Sequence, residues 1–262
     1  MKLAIFGATG RMGLAIIRLL QVDPDVQIVG GACSSNDPAH GRDLGELAGI
    51  GSIGVVSTAD VGSALLGADV VIDFSTASAV VPLYAVAARQ KVAIVSGTTN
   101  LDDAAQRALN KAAEAVPVLW SANMSLGIQV LAELVQQAVK KLGPAFDVEI
   151  MEIHHRKKID APSGTAKRLA EAAHLARPEL KDLHSRAGDV GARTNEELGV
   201  FGLRGGDVIG DHTVFLFGSG ERLELTHRAS NRDLFARGAI AAAKFLPGKK
   251  PGRYTIADVL NG

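Results

Sequence analysis

The stretch "KLAIFGATGRMGLAIIRLLQ", Lys2 to Gln21, decides how the first half of the chain reads. "KLAIF" is a short apolar run that stops at Gly7, the pattern of a buried strand. Leu14, Ile17 and Leu20/Gln21 then recur at helical intervals, and Pro24 lies just beyond them. Between the two sits "GATGRMG", Gly7 to Gly13. It reads G-x-x-G-x-x-G rather than the strict G-x-G-x-x-G of a dinucleotide-binding turn. Ala8, Gly10 and Gly13 take the three fingerprint positions. Gly10 lets backbone approach a pyrophosphate, and Gly13 lets the helix pack against the strand. The helix start adds free N–H groups and a partial positive charge. The competing reading is a glycine-rich structural turn, so the context decides.

That context is a regular alternation. "VQIVGGA" (26–32), "DVVIDF" (69–74), "VAIVS" (92–96) and "VPVLW" (116–120) read as strands. "SAVVPLYAVAARQ" (78–90) and "DDAAQRALNKAAEA" (102–115) read as helices, while the glycine-rich stretch up to about 57 is weakly patterned. Alternating strands and helices joined by right-handed crossovers build an α/β domain on a Rossmann-type, doubly wound parallel sheet. After Trp120 the rhythm changes. A helix is expected over about 126–142, a strand over 147–153 and a helix over 163–176, and a polar irregular region fills 178–198. "VFGLR", "HTVFLF" and "RLELTHRA" read as strands, the last two joined by a Gly218-Ser219-Gly220 turn. A helix over 234–246 and a Pro/Gly-rich tail with a short "TIADVL" close the chain. This shift predicts a second, smaller α+β domain from about 125 to 232.

Bulk numbers narrow the partners. The 262 residues carry 28 Lys plus Arg against 28 Asp plus Glu, so there is no basic excess of the kind nucleic-acid binding uses. The single cysteine, Cys33, forms no internal disulfide. The apolar run at the N-terminus is too short for a signal-peptide core, and no segment reaches the ~18 apolar residues of a membrane helix. The expectation is a cytoplasmic protein with neither nucleic acid nor membrane as a partner.

The second informative stretch is "HHRKKIDAPSGTA", His154 to Ala166. It reads as a solvated basic face, as a nucleic-acid patch, or as a pocket for an anion and a proton. Ser163 is a good N-cap, which leaves the N–H groups of Gly164, Thr165 and Ala166 open to an anion. His154 suits proton transfer near neutrality, and Lys158 supplies positive charge or a proton. A small substrate that carries carboxylates and is protonated as it is reduced fits that set. No metal site is expected: neighbours such as His154 and His155 point opposite ways on a strand, and Cys33 is remote. Ser163 lacks the G-x-S-x-G setting of a nucleophile.

"EIMEIHHRKKIDAPSGTA" (149–166) closely resembles the signature E-I-x-E-x-H-x-x-x-K-x-D-x-P-S-G-T-A of 4-hydroxy-tetrahydrodipicolinate reductases, also called dihydrodipicolinate reductases. "GATGRMG", "DFS" (73–75), "SGTT" (96–99), "SANMS" (121–125), "RGGDVIGDH" (204–212) and "FARGA" (235–239) extend the resemblance over nearly the whole chain. It implies reduction of 4-hydroxy-tetrahydrodipicolinate, a small dicarboxylate, to tetrahydrodipicolinate with loss of water, in lysine and diaminopimelate synthesis. NADPH or NADH would be the cofactor. His154 would be the proton donor and acceptor and Lys158 a second proton donor. His155, Gly164 and Thr165 would bind substrate. Gly7, Ala8, Thr9, Gly10, Arg11 and Met12, then Gly97, Thr98 and Thr99, then Ser121, Ala122, Asn123 and Met124 would line the cofactor. The resemblance also implies a homotetramer assembled through the second domain's sheet. Its C-terminal helix would return to the first domain, giving 1–124 with 233–262 as the dinucleotide-binding domain and 125–232 as the substrate and tetramerisation domain. After the second strand, Ser34 and Ser35 stand where an acid would hold the ribose. With no carboxylate there and Arg11 on the loop, the expectation is that NADPH is accepted at least as well as NADH.

Overall fold

The computed structural model describes every residue from Met1 to Gly262. It opens with β1 (Lys2–Phe6), α1 (Arg11–Leu20), β2 (Gln27–Ala32), α2 (Leu44–Ala48), β3 (Ser57–Thr58), α3 (Val61–Ala64) and β4 (Val70–Asp73). α4 (Val80–Gln90), β5 (Ala93–Ser96), α5 (Asp103–Ala113) and β6 (Pro117–Trp120) follow. Next come α6 (Leu126–Leu142), β7 (Asp147–His154), α7 (Gly164–Ala176), β8 (Lys181–Leu183), β9 (Glu197–Arg204), β10 (Asp211–Gly218) and β11 (Glu221–Arg228). The chain ends with α8 (Asp233–Phe245), β12 (Gly252–Tyr254) and α9 (Ile256–Asn261). These elements form two compact units, Met1–Met124 with Asp233–Gly262, and Ser125–Arg232.

The first unit is built on one sheet in the order β12-β6-β5-β4-β1-β2-β3, with all its pairings parallel. Strand order reverses between β1 and β4, the switch point where open α/β sheets bind ligands beyond their carboxyl ends. Every residue of β4 and β5 is buried, because helices cover both faces. Ala4, Phe6, Val71, Ile94 and Val118 pack with Leu83, Tyr84, Ala87 and Leu109 of α4 and α5. α1 turns Ile16, Ile17 and Leu20 inward, and α8 lies against α1, β4 and β5. Each large apolar side chain so buried contributes roughly 1.5–3 kcal/mol. Gly238 sets the approach of α8: a Cβ there would sit 1.7 Å from the Met124 carbonyl oxygen.

The second unit is a mixed sheet in the order β11-β10-β7-β9-β8, antiparallel from β11 to β7 and parallel from β7 to β8. α6 and α7 cover one face. Ile128, Leu131, Val135 and Val139 of α6 recur at helical spacing and meet Leu169 and Ala173 of α7 over Val148, Ile150, Leu198 and Val214 of the sheet. Ser125 caps α6 by accepting the Ile128 N–H at 3.2 Å, and Gly143 at φ +62° ends it. The other sheet face carries Met151, Phe201, Leu203, Phe215 and Phe217, ringed by Arg186 and Arg193. Leu203 is half exposed, at 50%.

The α/β class, the doubly wound parallel sheet and the smaller α+β unit match the sequence reading. Three differences are local. The weakly patterned stretch up to about 57 contains α2 and runs into β3, the polar region 178–198 contains β8 and the start of β9, and the glycine-rich tail contains β12. Strands of two or three residues are too short to display a period.

Candidate active site

β7 alternates partly and fully buried residues along its length, so Val148, Ile150, Glu152 and His154 share the face under α6 and α7. The period that aims Val148 and Ile150 into the core therefore puts a carboxylate and an imidazole side by side. Glu152 is fully buried and His154 is 8% exposed. His154 Nδ1 bonds Glu152 Oε2. The guanidinium of Arg204 donates to Oε2 at 3.0 Å and to Oε1 at 2.8 Å. The Ser163 N–H donates to Oε1 at 3.1 Å. Both carboxylate oxygens are thus doubly satisfied, as a buried charge requires. Arg204 reaches the pair because β9 lies beside β7 with His154 and Arg204 in register. Gly202 opposite Glu152 leaves the space, since a Cβ there would stand 2.9 Å from Oε1. Burial works to raise the Glu152 carboxyl, yet Arg204, His154 and the Ser163 N–H outweigh it and hold the group below its usual range. Burial pulls His154 below the usual imidazole value, against the opposing influence of Glu152.

Ser163 joins this cluster to the start of α7. Its hydroxyl accepts the Ala166 N–H at 3.1 Å, the N-cap the sequence predicts; the cap itself therefore takes the Ala166 N–H that the sequence reading left open to an anion. The same oxygen lies 3.1 Å from His212 Nε2, and the rings of His212 and His154 meet edge-to-face at 5.1 Å. His212 comes from β10, in register with Glu152. Burial pushes its pKa down to about 4, so it is neutral at pH 7. Glu152, His154 and His212 each bring one potential metal-ligand atom within 4.8 Å of the others. The Arg204 guanidinium across both Glu152 oxygens opposes a cation there, and the group is wired as a hydrogen-bond network.

The other residues singled out in the sequence surround this network. Lys158 Nζ pairs with both oxygens of Asp160, at 2.7 and 2.9 Å, and acts electrostatically on His154. Arg232 Nη2 donates to His155 Nε2 at 3.3 Å. Gly164 is exposed at the first position of α7, with open space where a Cβ would be. Thr165 follows it, half-buried. A Cβ on Gly210 would come within 3.0 Å of His154 Nε2, so that glycine keeps room beside the ring's second nitrogen.

In the first unit, the other named residues follow the carboxyl ends of β1, β5 and β6. Gly7, at φ +79°, and Ala8 donate their N–H groups to the Ala32 carbonyl, at 3.0 and 2.9 Å. A Cβ on Gly7 would sit 2.7 Å from the Phe74 carbonyl oxygen, and one on Gly13 would sit 2.5 Å from those of Gly7 and Ala8. Gly10 is the N-cap of α1 and supplies no side-chain cap, so the N–H groups of the first turn, at Arg11 and Met12, meet no competing side chain. These features fit a bound pyrophosphate. Gly97 leaves room for the Phe74 ring. The Thr98 hydroxyl accepts the Ser75 N–H at 3.0 Å, and its carbonyl accepts the Trp120 indole N–H at 2.9 Å, which fixes the loop leading to exposed Thr99. The Ser121 hydroxyl donates to the Asn123 carbonyl at 2.7 Å. Ala122 is exposed, whereas Met124 is buried. Thr9 donates its hydroxyl to Asp37 Oδ2 at 2.6 Å, so a carboxylate does reach this turn although Ser34 and Ser35 occupy the expected place.

A doubly wound sheet with a glycine-rich first turn, followed by a mixed sheet bearing a carboxylate–imidazole pair, defines the class of two-unit dinucleotide-dependent oxidoreductases. Comparison with known proteins makes this specific. The N-terminal model of dihydrodipicolinate reductase matches residues 1–124, and the C-terminal model matches residues 127–260. The chain is 49% identical over 262 residues to a 4-hydroxy-tetrahydrodipicolinate reductase of Anaeromyxobacter dehalogenans, covering 99% of this chain and 97% of that protein. It is 44% identical over 263 residues to one of Myxococcus xanthus, with the same coverage. A dipicolinate-bound dihydrodipicolinate reductase from Paenisporosarcina sp. TG-14 shares the fold, with a TM-score of 0.78 at 23% identity over 97% of each chain. The chain belongs to the dihydrodipicolinate reductase family and is an oxidoreductase.

Proposed function

We propose that the chain reduces 4-hydroxy-tetrahydrodipicolinate to tetrahydrodipicolinate with loss of water, using NADH or NADPH, in lysine and diaminopimelate synthesis. The observation that carries this reading is the buried Glu152–His154 pair tied through Ser163 to the open start of α7. It places a proton-handling imidazole next to a helix end suited to a carboxylate. In this reading 1–124 with 233–262 binds the dinucleotide, and 125–232 binds the substrate. Reduced nicotinamide supplies the hydride.

The rest of the chemistry belongs to the chain's own groups. Glu152 accepts the Nδ1–H of His154, which leaves Nε2 as the nitrogen that takes and gives the proton. Burial keeps the resting ring neutral; a dicarboxylate arriving beside it raises its proton affinity. Lys158 is the second proton donor, and its Asp160 partner orients it until substrate carboxylates compete for it. His155, Gly164 and Thr165 contact the substrate, with the start of α7 facing one carboxylate. Gly7 to Met12, Gly97 to Thr99 and Ser121 to Met124 line the cofactor.

A sheet with helices on one face only leaves an apolar opposite face that needs cover. Met151, Phe201, Leu203, Phe215 and Phe217 on that face support a homotetramer assembled through this sheet, and the location that goes with this reading is the cytoplasm. The test of function follows nucleotide absorbance while the preceding synthase generates substrate from pyruvate and aspartate semialdehyde. Oxidation that depends on the synthase is expected. Oxidation with the semialdehyde alone refutes the assignment.

A further inference from the structure

The chain buries two acids completely, Glu152 and Asp73. Arg204 pairs with Glu152, whereas Asp73 enters no ion pair. Asp73 is the last residue of β4, at the carboxyl end of the parallel sheet, in register with Phe6 of β1 and Ser96 of β5. Its Oδ1 accepts the Ser75 N–H at 2.9 Å and the Ser75 hydroxyl at 2.6 Å. Its Oδ2 accepts the Ser96 hydroxyl at 2.6 Å. With its own hydrogen so used, Ser96 Oγ takes one from the Tyr84 hydroxyl at 2.9 Å. The Thr98 hydroxyl also bonds the carboxylate. The groups that hold Asp73 are thus neutral donors. Burial raises its pKa against the pull of these bonds. Its charge is costly where it stands, and it gains from a cation formed nearby.

We infer that Asp73 is the counter-charge for the oxidised nicotinamide: its buried carboxylate favours the ring in the state it reaches once hydride has left. The inference rests on the dinucleotide reading of the first unit. In that reading the pyrophosphate lies on the turn after β1, and strand order reverses between β1 and β4. A dinucleotide crossing that point sends its adenosine half over β2 and its nicotinamide half over β4 and β5. Asp73 ends β4, and it holds Ser75 and Thr98, which begin the loops on that side. In the reaction a C–H bond of the reduced ring breaks and a C–H bond forms on the substrate. Both electrons travel with the hydrogen, so the ring ends with one positive charge. A fixed negative charge behind it stabilises that product and the transition state leading to it, and does little for the neutral reduced ring. A unit charge at ~10 Å and an effective dielectric of ~20 shifts such an equilibrium by roughly tenfold.

Calorimetric titration of the full chain with NAD+ and NADH, and with NADP+ and NADPH, tests this without relying on turnover. The readout is the ratio of Kd values for the oxidised and reduced forms of one nucleotide, in which the ribose substituent cancels. Asp73→Asn keeps the shape and removes the charge. It is expected to weaken the oxidised form relative to the reduced form by about tenfold. A carboxylate that only latches the two loops together would weaken both forms alike and leave the ratio as it was. In Asp73→Asn the Ser96 hydroxyl turns toward Tyr84 to accept the new amide, which strands the Tyr84 hydrogen. The double variant D73N/Y84F removes that hydroxyl, and the same shift is read there if the single variant folds poorly. Tyr84→Phe alone keeps the carboxylate and is expected to keep the wild-type ratio. A ratio unchanged in the Asn variants overturns the inference, as does an equal shift in Tyr84→Phe. Wild type that binds none of the four nucleotides overturns the dinucleotide reading, and the role of Asp73 with it.

Discussion

Replacing Glu152 by glutamine exchanges one oxygen for an amide nitrogen, and the local geometry says what that does. Oε1 takes hydrogen bonds from Arg204 Nη2 and the Ser163 N–H; Oε2 takes them from Arg204 Nη1 and His154 Nδ1. Whichever way the amide sits, its NH2 faces two donors, one of them Arg204. The guanidinium, 22% exposed, is left facing a neutral partner. Breaking such a buried pair costs about 3–5 kcal/mol, so Tm falls. His154 also loses the group that raises its proton affinity and fixes its tautomer. Its pKa drops further, and the limb of the kcat/KM profile on which His154 loses its proton moves to lower pH. At neutral pH kcat/KM is expected to fall by ~10²–10⁴, the range for a mispositioned general acid. The double variant E152Q/R204M removes the orphaned charge; it recovers stability but not rate, which separates folding from positioning. Assays are thermal melting plus steady-state kinetics across pH. E152Q with kcat/KM within ~3-fold of wild type and an unmoved limb would refute the reasoning.

Other expectations are equally direct. His154→Ala and Lys158→Ala each lower kcat by ~10²–10⁴, and near-normal turnover in both removes their proton-transfer roles. Ser163→Ala removes the α7 cap and strips His212 Nε2 of its partner, so chemical denaturation should show a loss of about 1–3 kcal/mol; an unchanged denaturation midpoint contradicts this. Gly238→Ala drives a Cβ into the Met124 carbonyl at 1.7 Å, and calorimetry should show a loss of about 3 kcal/mol or more. Burial works to raise the Asp43 carboxyl, but N–H groups of Ile53, Glu46 and Gly45 with the Ser52 hydroxyl bring it down to about 2, from an ordinary 3.8. A depressed carboxylate stabilises above its unfolded pKa and loses that effect as pH falls toward its folded value. Acid melts of Asp43→Asn should therefore lose less stability between pH 3.8 and 2 than wild type.

The parts of the fold legible in the sequence are those with enough residues to repeat a pattern. α6 spans Leu126–Leu142 as its spacing predicts, and β1 spans "KLAIF". β3, β8 and β12 are held by pairing with longer strands, which leaves no local trace. In the candidate site, Ser163 and the start of α7 were readable because a cap is a local device. Glu152 had a signal two residues before His154, since strand period two puts them on one face, but only a known core side makes that informative. Arg204 and His212 reach the cluster from β9 and β10 through sheet register, which no spacing in the chain encodes. Asp37 is met at Thr9 through a turn, five residues beyond the end of β2.

The first compact unit is assembled from both ends of the chain, and this has a consequence for how the protein is made. β4 and β5 expect α8 on one face, and β6 expects β12 along its edge, yet both partners lie beyond Arg232. At ~5–20 residues per second, a ribosome leaves the N-terminal part waiting on the order of ten seconds for them. During that interval an apolar sheet face and an unpaired strand edge are open to other chains. The second unit is continuous in sequence and is complete as soon as Arg232 emerges. Newly made protein thus carries an unfinished, open surface on the part translated first, and nascent-chain chaperones should engage residues 1–124 until α8 and β12 arrive.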